Sequence, residues 1–149
     1  MYPYVLAFHN IIRWIVLVLG IIIVIQVGLG YFRRREWDEK TRKLGVYYTI
    51  GMDVQFLLGL LLYLFFSDIT RAVFQDLSNA MTTPGLRSFA LEHPISMLLA
   101  VVFGHMASIL SRKGVDSAAK YRRALIWFSL SVLMLLLGMP WDRPFIPKL

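Results

Sequence analysis

Long apolar stretches alternate with short charged ones along this chain. Apolar runs at 6–32, 45–66, 91–111 and 123–140 are close to or above the ~20 residues that cross a hydrocarbon core about 30 Å thick. Between the first two lies RRREWDEKTRK, with Arg33, Arg34, Arg35, Lys40, Arg42 and Lys43. Between the last two lies SRKGVDSAAKYRR, with Arg112, Lys113, Lys120, Arg122 and Arg123. The second connection and the C-terminal tail carry only Arg71, Arg87, Arg143 and Lys148. Positive charge collects in cytoplasmic loops, so the first and third connections are expected inside and both termini on the outer, periplasmic side. Short inner connections pair the first span with the second and the third with the fourth, as antiparallel hairpins. The pattern predicts an all-α, up-down four-helix transmembrane bundle, a single domain over 1–149.

The outer connection, 67–90, has a pattern of its own. Ser67 or Asp68 can cap a short helix in which Ile69, Val73 and Leu77 share one face. Such an amphipathic segment lies on a membrane surface and can cover the mouth of a bundle. Thr82-Thr83-Pro84-Gly85 reads as the turn that ends it. Aromatic residues fall at two depths. Trp14, Trp141, Tyr2, Tyr4, Tyr63 and Phe145 lie near the outer interface, and Trp37, Tyr47, Tyr48, Tyr121 and Trp127 near the inner one, as aromatic belts.

Composition sharpens this picture. The chain has 149 residues, 58% of them hydrophobic, and a mean hydropathy of +0.62. The net charge of +7 would suggest nucleic acid in a soluble protein; concentrated in two short connections it reports topology instead. There is no cysteine, which excludes disulfides, cysteine-ligated iron–sulfur clusters and covalent c-type haem. The opening MYPYVLAFHN lacks a basic n-region and a small-residue cleavage site, and reads as part of the first helix and not as a removed signal.

Polar residues at membrane depth are few, and by default each faces a partner, a cavity or a ligand. His9 and His93 each open a span, and eleven residues on stand Gly20 and Gly104. Eleven residues return a helix to within about 20° of the starting face, roughly 16 Å further along. His9 and Arg13, four apart, share a face that continues through Val16 and Gly20; that of His93 continues through Met97, Ala100 and Gly104. The first and third spans run parallel, on a diagonal of the bundle. Two imidazoles at one depth above small residues suit a haem b, with Arg13, Arg87 or Arg143 near its propionates. Pro94 suits a first helical turn, and Glu92 could cap it or orient an imidazole. The plainer reading makes both histidines interfacial, bonded to Glu92, Asp142 or backbone. A zinc or copper site at the outer mouth is a further alternative, needing a third donor.

His105 lies about 120° around the helix from His93 and about 18 Å deeper, which argues against a second stacked haem. It is expected to meet Asp53, as a structural pair or a proton relay, with Met52 a weaker partner. Gln26 and Gln55 are expected to extend this inner network or link helices. No triad, phosphate loop or zinc-peptidase motif is present, so hydrolytic and nucleotide chemistry have no support.

Several of these residues recur in a combination. His9-Asn10-x-x-Arg13-Trp14 opens the first span, and Asp53-x-Gln55-x-x-x-Gly59-Leu60-x-Leu62-Tyr63 marks the second. Glu92-His93-Pro94 with His105 marks the third, and Pro140-Trp141 ends the fourth. Across most of its length the chain resembles small four-helix bacterial membrane proteins labelled cytochrome B or cytochrome-b-like. The resemblance implies a b-type haem held by His9 and His93 and a place near respiratory electron transfer in the inner membrane. It departs from larger cytochromes b in lacking a second matched histidine pair. The expectation is an electron-transfer or accessory subunit, in contact with other membrane subunits or a second copy, more than a stand-alone enzyme. A cofactor-free accessory subunit and a metal- or proton-handling bundle are the alternatives.

Overall fold

Four helical rods form the body of the protein in a computed structural model that describes residues 2–141. The first is α1 (Tyr2–Phe32). The second is α2 (Glu39–Leu61), continued by a π-helical turn (Leu62–Phe66). After three short helices, α3 (Asp68–Gln75), α4 (Leu77–Thr82) and α5 (Pro84–Arg87), a second π-helical turn (Ser88–Glu92) leads into α6 (His93–Arg112). The fourth rod is α7 (Ser117–Gly138). The four rods, Tyr2–Phe32, Glu39–Phe66, Pro84–Arg112 and Ser117–Gly138, are each long and apolar enough to cross a membrane. Neighbours touch in a closed ring, α1 with α2, α2 with α6, α6 with α7 and α7 with α1. The first and third rods therefore face each other across a diagonal.

Side chains are distributed as a bilayer demands. Phe8, Ile15, Ile25, Leu57, Ile126 and Leu137 point outward, while Asn10, Arg13, Thr49, Gln55, Ser111 and Ser131 are buried. A soluble bundle has the reverse arrangement, because water rewards polar surface. Here lipid covers the apolar outside, and buried hydroxyls bond to backbone within, Thr49 to the Val46 carbonyl, Ser111 to the Ser108 carbonyl and Ser131 to the Ala100 carbonyl. The interior is completed by Val16, Ile23, Val27, Tyr48, Met52, Tyr121, Phe128 and Leu135.

The rods begin and end where local chemistry dictates. Asp38 caps α2 by accepting from the Thr41 N–H at 2.6 Å, and Asp116 caps α7 by accepting from the Ala119 N–H at 2.7 Å. Each cap satisfies a backbone donor that the first turn leaves free. These helices start at 39 and 117, ahead of the apolar runs at 45 and 123. The added turns are polar ones standing beyond the hydrocarbon. At its C-terminal end α1 closes through Arg34, whose φ of 50° is left-handed, with the Arg35 N–H returning to the Gly30 carbonyl at 2.9 Å. That is a Schellman closure with arginine where glycine is usual.

The outer connection is helical, as its pattern predicts, but in more pieces. Ser67 accepts from the Thr70 N–H at 3.2 Å and starts α3, on which Val73 is buried. Asp76 breaks the segment and caps α4 through the Asn79 N–H, so Leu77 begins a new helix and is exposed. The inner aromatic belt is also revised. Tyr47 faces outward, but Tyr48 and Tyr121 are fully buried. Phe145, Asp142, Arg143 and Lys148 lie outside the described residues.

Candidate functional site

All four rods contribute to one cluster at the end of the bundle where α1 starts and α7 finishes, the end expected to face outward. His9 projects from α1 and His93 from the first turn of α6, their ring centroids 6.4 Å apart and their planes inclined at 75°. The sequence expectation that the two imidazoles meet across the diagonal is met in this geometry. Pro94 stands where the π-helical turn runs on into α6, inside the continuous rod; it has no N–H for the preceding turn, and the Ala90 carbonyl accepts instead from Tyr63 Oη at 2.9 Å.

The two rings are held differently. His93 Nδ1 lies 2.6 Å from the Gly138 carbonyl at the end of α7. A carbonyl can only accept, so Nδ1 carries the proton and Nε2 of the neutral ring keeps its lone pair. His9 Nε2 lies 3.3 Å from the side-chain nitrogen of Gln55, and its Nδ1 is buried without a hydrogen-bond partner among the described residues. His9 also packs on Gly59, where an added Cβ would stand 3.1 Å from His9 Cε1. Both glutamines link helices, the second of the two roles expected of them: Gln55 of α2 reaches His9 of α1, and Gln26 of α1 donates to Thr41 Oγ1 of α2 at 3.3 Å.

Two cavities adjoin the histidines and share His9, Gly59, Tyr63 and His93. One, of about 250 Å³, is lined by Asn10, Arg13, Ser67 and Thr70, so α3 covers the bundle mouth. The other, of about 330 Å³, is apolar, lined by Met52, Phe56, Leu60, Ile95, Met97 and Val101 between α2 and α6. Together they make an apolar compartment next to a cationic one. The cation is Arg13, only 4% exposed. One guanidinium nitrogen reaches the Pro140 carbonyl at 3.5 Å, the group lies 5.3 Å from the Trp14 ring centroid, and Nε and Nη2 have no hydrogen-bond partner among the described residues. A buried guanidinium left with free donors is strongly disposed to take an oxyanion. A larger open cleft of about 850 Å³ lies at the opposite end, by Arg34, Arg35 and Lys120, away from this chemistry.

No family model, curated protein or solved structure matches the chain.

Other expected site residues take different places. Gly20 and Gly104 lie deeper, and the space they open is filled by Tyr48 with Val132 beside Gly20 and Ser131 beside Gly104. An added Cβ at Gly20 would stand 2.9 Å from the Tyr48 ring, and one at Gly104 3.5 Å. Tyr48 is fixed by Ser131 Oγ at 2.8 Å, and Ser131 donates to the Ala100 carbonyl at 2.6 Å. The glycine stripe therefore seats a tyrosine, and the histidine cavities lie above it. Glu92 does not orient an imidazole; it pairs with Arg87 at 2.8 Å, and neither residue lines the histidine cavities. His105 meets Asp53 as expected, Nε2 to Oδ1 at 2.8 Å, with each side chain nearly half exposed. Met52 turns instead into the apolar cavity.

Two features had no signal in residue periodicity. The π-helical turns at Leu62–Phe66 and Ser88–Glu92 stand side by side, joined by Tyr63 Oη donating to the Ala90 carbonyl at 2.9 Å. Such turns widen a helix by one residue and recur near functional sites. Here they carry Tyr63 and Ala90 to the cavity wall. Among the described residues, no three His, Cys, Asp or Glu side chains gather as a metal-binding group.

Proposed function

We propose that this chain is a small b-type cytochrome, or the haem-bearing subunit of a membrane electron-transfer assembly, with His9 and His93 as axial ligands. The observation that carries this reading is the meeting of two imidazoles at the junction of an apolar and a cationic compartment. Haem b has the same division, a flat apolar macrocycle with carboxylates at one edge. The centroid separation of 6.4 Å is within ordinary edge-to-face range. It is also the size that two imidazoles sharing one metal need, each metal–nitrogen bond taking about 2 Å. A bare zinc or copper ion is less well served, because it wants at least a third protein donor.

The chain's own groups have clear tasks in this reading. Gly138 fixes the tautomer of His93 and so presents Nε2 as a ligand. Gly59 gives the His9 ring room. Arg13 neutralises a propionate, and α3 limits water at the outer mouth. Haem supplies one-electron chemistry when bound. We place the cluster toward the periplasmic side of a bacterial inner membrane on the positive-inside distribution of Arg33, Arg34, Arg35, Arg112 and Lys113. The electron partner is then a periplasmic or membrane-bound carrier, and no charge crosses the membrane through a single outer haem.

A second reading has its own support. His9 with Gln55, and His93 with Gly138, are partly satisfied inside the protein, as in a cofactor-free accessory subunit. A reduced-minus-oxidised spectrum of detergent-purified protein from haem-replete cells separates the two. A b-type α-band lost in both His9→Ala and His93→Ala is the expected result. No band in the unaltered protein sinks the cytochrome reading in favour of the accessory one.

A further inference from the structure

The Asp53–His105 pair stands apart from the outer cluster and faces away from the bundle. Asp53 lies about ten residues beyond Lys43 on α2, roughly 15 Å along the axis. His105 lies about seven residues before Arg112 on α6, roughly 10 Å from that inner end. Both positions fall within a hydrocarbon core about 30 Å thick. Yet their side chains are 43% and 46% exposed. The surrounding surface is apolar: Ile50, Val54, Leu57, Val102 and Ile109 all point outward. An acid and a base at this depth are costly against lipid, and the structure covers them only with each other.

Their unused hydrogen-bonding capacity indicates what completes the cover. Asp53 Oδ1 is taken by His105 Nε2. In the ion-paired form the carboxylate keeps one oxygen free to accept, and the imidazolium keeps Nδ1–H free to donate. The donor and acceptor left over are complementary to each other. A two-fold axis through such a patch brings each group opposite its counterpart. We infer that the α2–α6 face is a self-association surface, on which Asp53 of one copy accepts from His105 of a second copy and the reverse. The partner is therefore another molecule of this chain, seated by reciprocal Asp53–His105 bonds within an apolar rim. Polar side chains are an effective means of joining helices in lipid, where apolar contact alone gives no preference over acyl chains. The pair is separate from the proposed haem ligands His9 and His93, although the apolar cavity beside them opens on the same α2–α6 side.

The absence of native cysteine makes the test direct. Single cysteines at Val54 and Val102, beside the pair, and at Ile15 and Ile126, on α1 and α7, are introduced into the full chain in lipid vesicles. Oxidative cross-linking is followed as the protein-to-lipid ratio falls. Covalent dimers are expected from Val54→Cys and Val102→Cys and not from Ile15→Cys or Ile126→Cys. In the Val54→Cys background, Asp53→Asn is expected to raise the apparent dimer dissociation constant roughly fivefold to tenfold, the loss of two interhelical bonds. Exchanging the pair as Asp53→His with His105→Asp should restore it. Equal cross-linking on all faces, or none near the pair at any ratio, overturns the proposal. So does a Val54→Cys dimer unaffected by Asp53→Asn. The cysteine comparison leaves the pair intact, so a failure of the Asp53 variant to fold does not blunt it.

Discussion

Tyr48 and Gly59 are the two residues on which the outer site most depends without being part of its chemistry. Tyr48 fills the middle of the bundle, fully buried, with its hydroxyl on Ser131 and its ring against Gly20. Tyr48→Phe keeps the ring and removes one buried hydrogen bond, while Ser131 retains its bond to the Ala100 carbonyl. The expected loss is about 1 kcal/mol of unfolding free energy, read by denaturation in mixed micelles, with any visible spectrum unchanged. Gly59→Ala acts in the opposite sense. Its methyl would press on His9 Cε1, so the ring must shift by a few tenths of an ångström. If haem is bound as proposed, a changed α-band with unchanged helicity is expected; an identical spectrum would count against the His9 contact to the cofactor. Neither residue drew notice in the sequence as a site former. Tyr48 reads as one more interfacial aromatic, because helical periodicity gives its face only once the neighbours of α2 are known.

At the scale of elements, the capped helix starts are the most chemically explicit feature. The Thr41 N–H hydrogen bond to Asp38 holds that carboxyl below its ordinary range. A depressed carboxyl contributes stability that is fully present above its unfolded value, near 4, and is lost as pH falls toward the folded one. Helicity of α2 should therefore weaken on acidification below about pH 4. Asp38→Asn, which also caps well, should make that part of the acid response flatter in circular dichroism. The four rods were legible in the sequence because lipid imposes a length and a polarity that no packing detail can hide. What hydropathy missed is equally physical. The turns at 39–44 and 117–122 are helical through their aspartate caps, beyond the apolar runs. The π-helical turns add a residue to the helix path without disturbing hydrophobic content. The division of the outer connection at Asp76 turns on a single side chain choosing the Asn79 N–H. The meeting of His9 with His93 was legible because both depth and face follow from residue spacing. The partners that orient the rings, Gly138 and Gln55, were not, since they come from other rods and one acts through its backbone.

Taken as a whole, the molecule brings the start of α1 and the end of α7 to one end, where Arg13 reaches Pro140 and Trp14 stands 6.4 Å from Trp141. If the basic connections are cytoplasmic, a single cysteine at Val115, which is 92% exposed, should resist a membrane-impermeant maleimide in intact cells. One at Leu77 on the outer connection should react at once. The opposite pattern would turn the bundle over and move the histidine cluster to the cytoplasmic face. Orientation aside, the Tyr48–Ser131 plug has a consequence for what this bundle can be. Tyr48 closes the middle of the bundle, and Val27, Tyr121, Ala124 and Phe128 are among the other core side chains that leave it filled. Such a barrel of helices is an electrical insulator: with its middle filled by packed side chains, it leaves ions no path and lets the membrane around it keep its voltage.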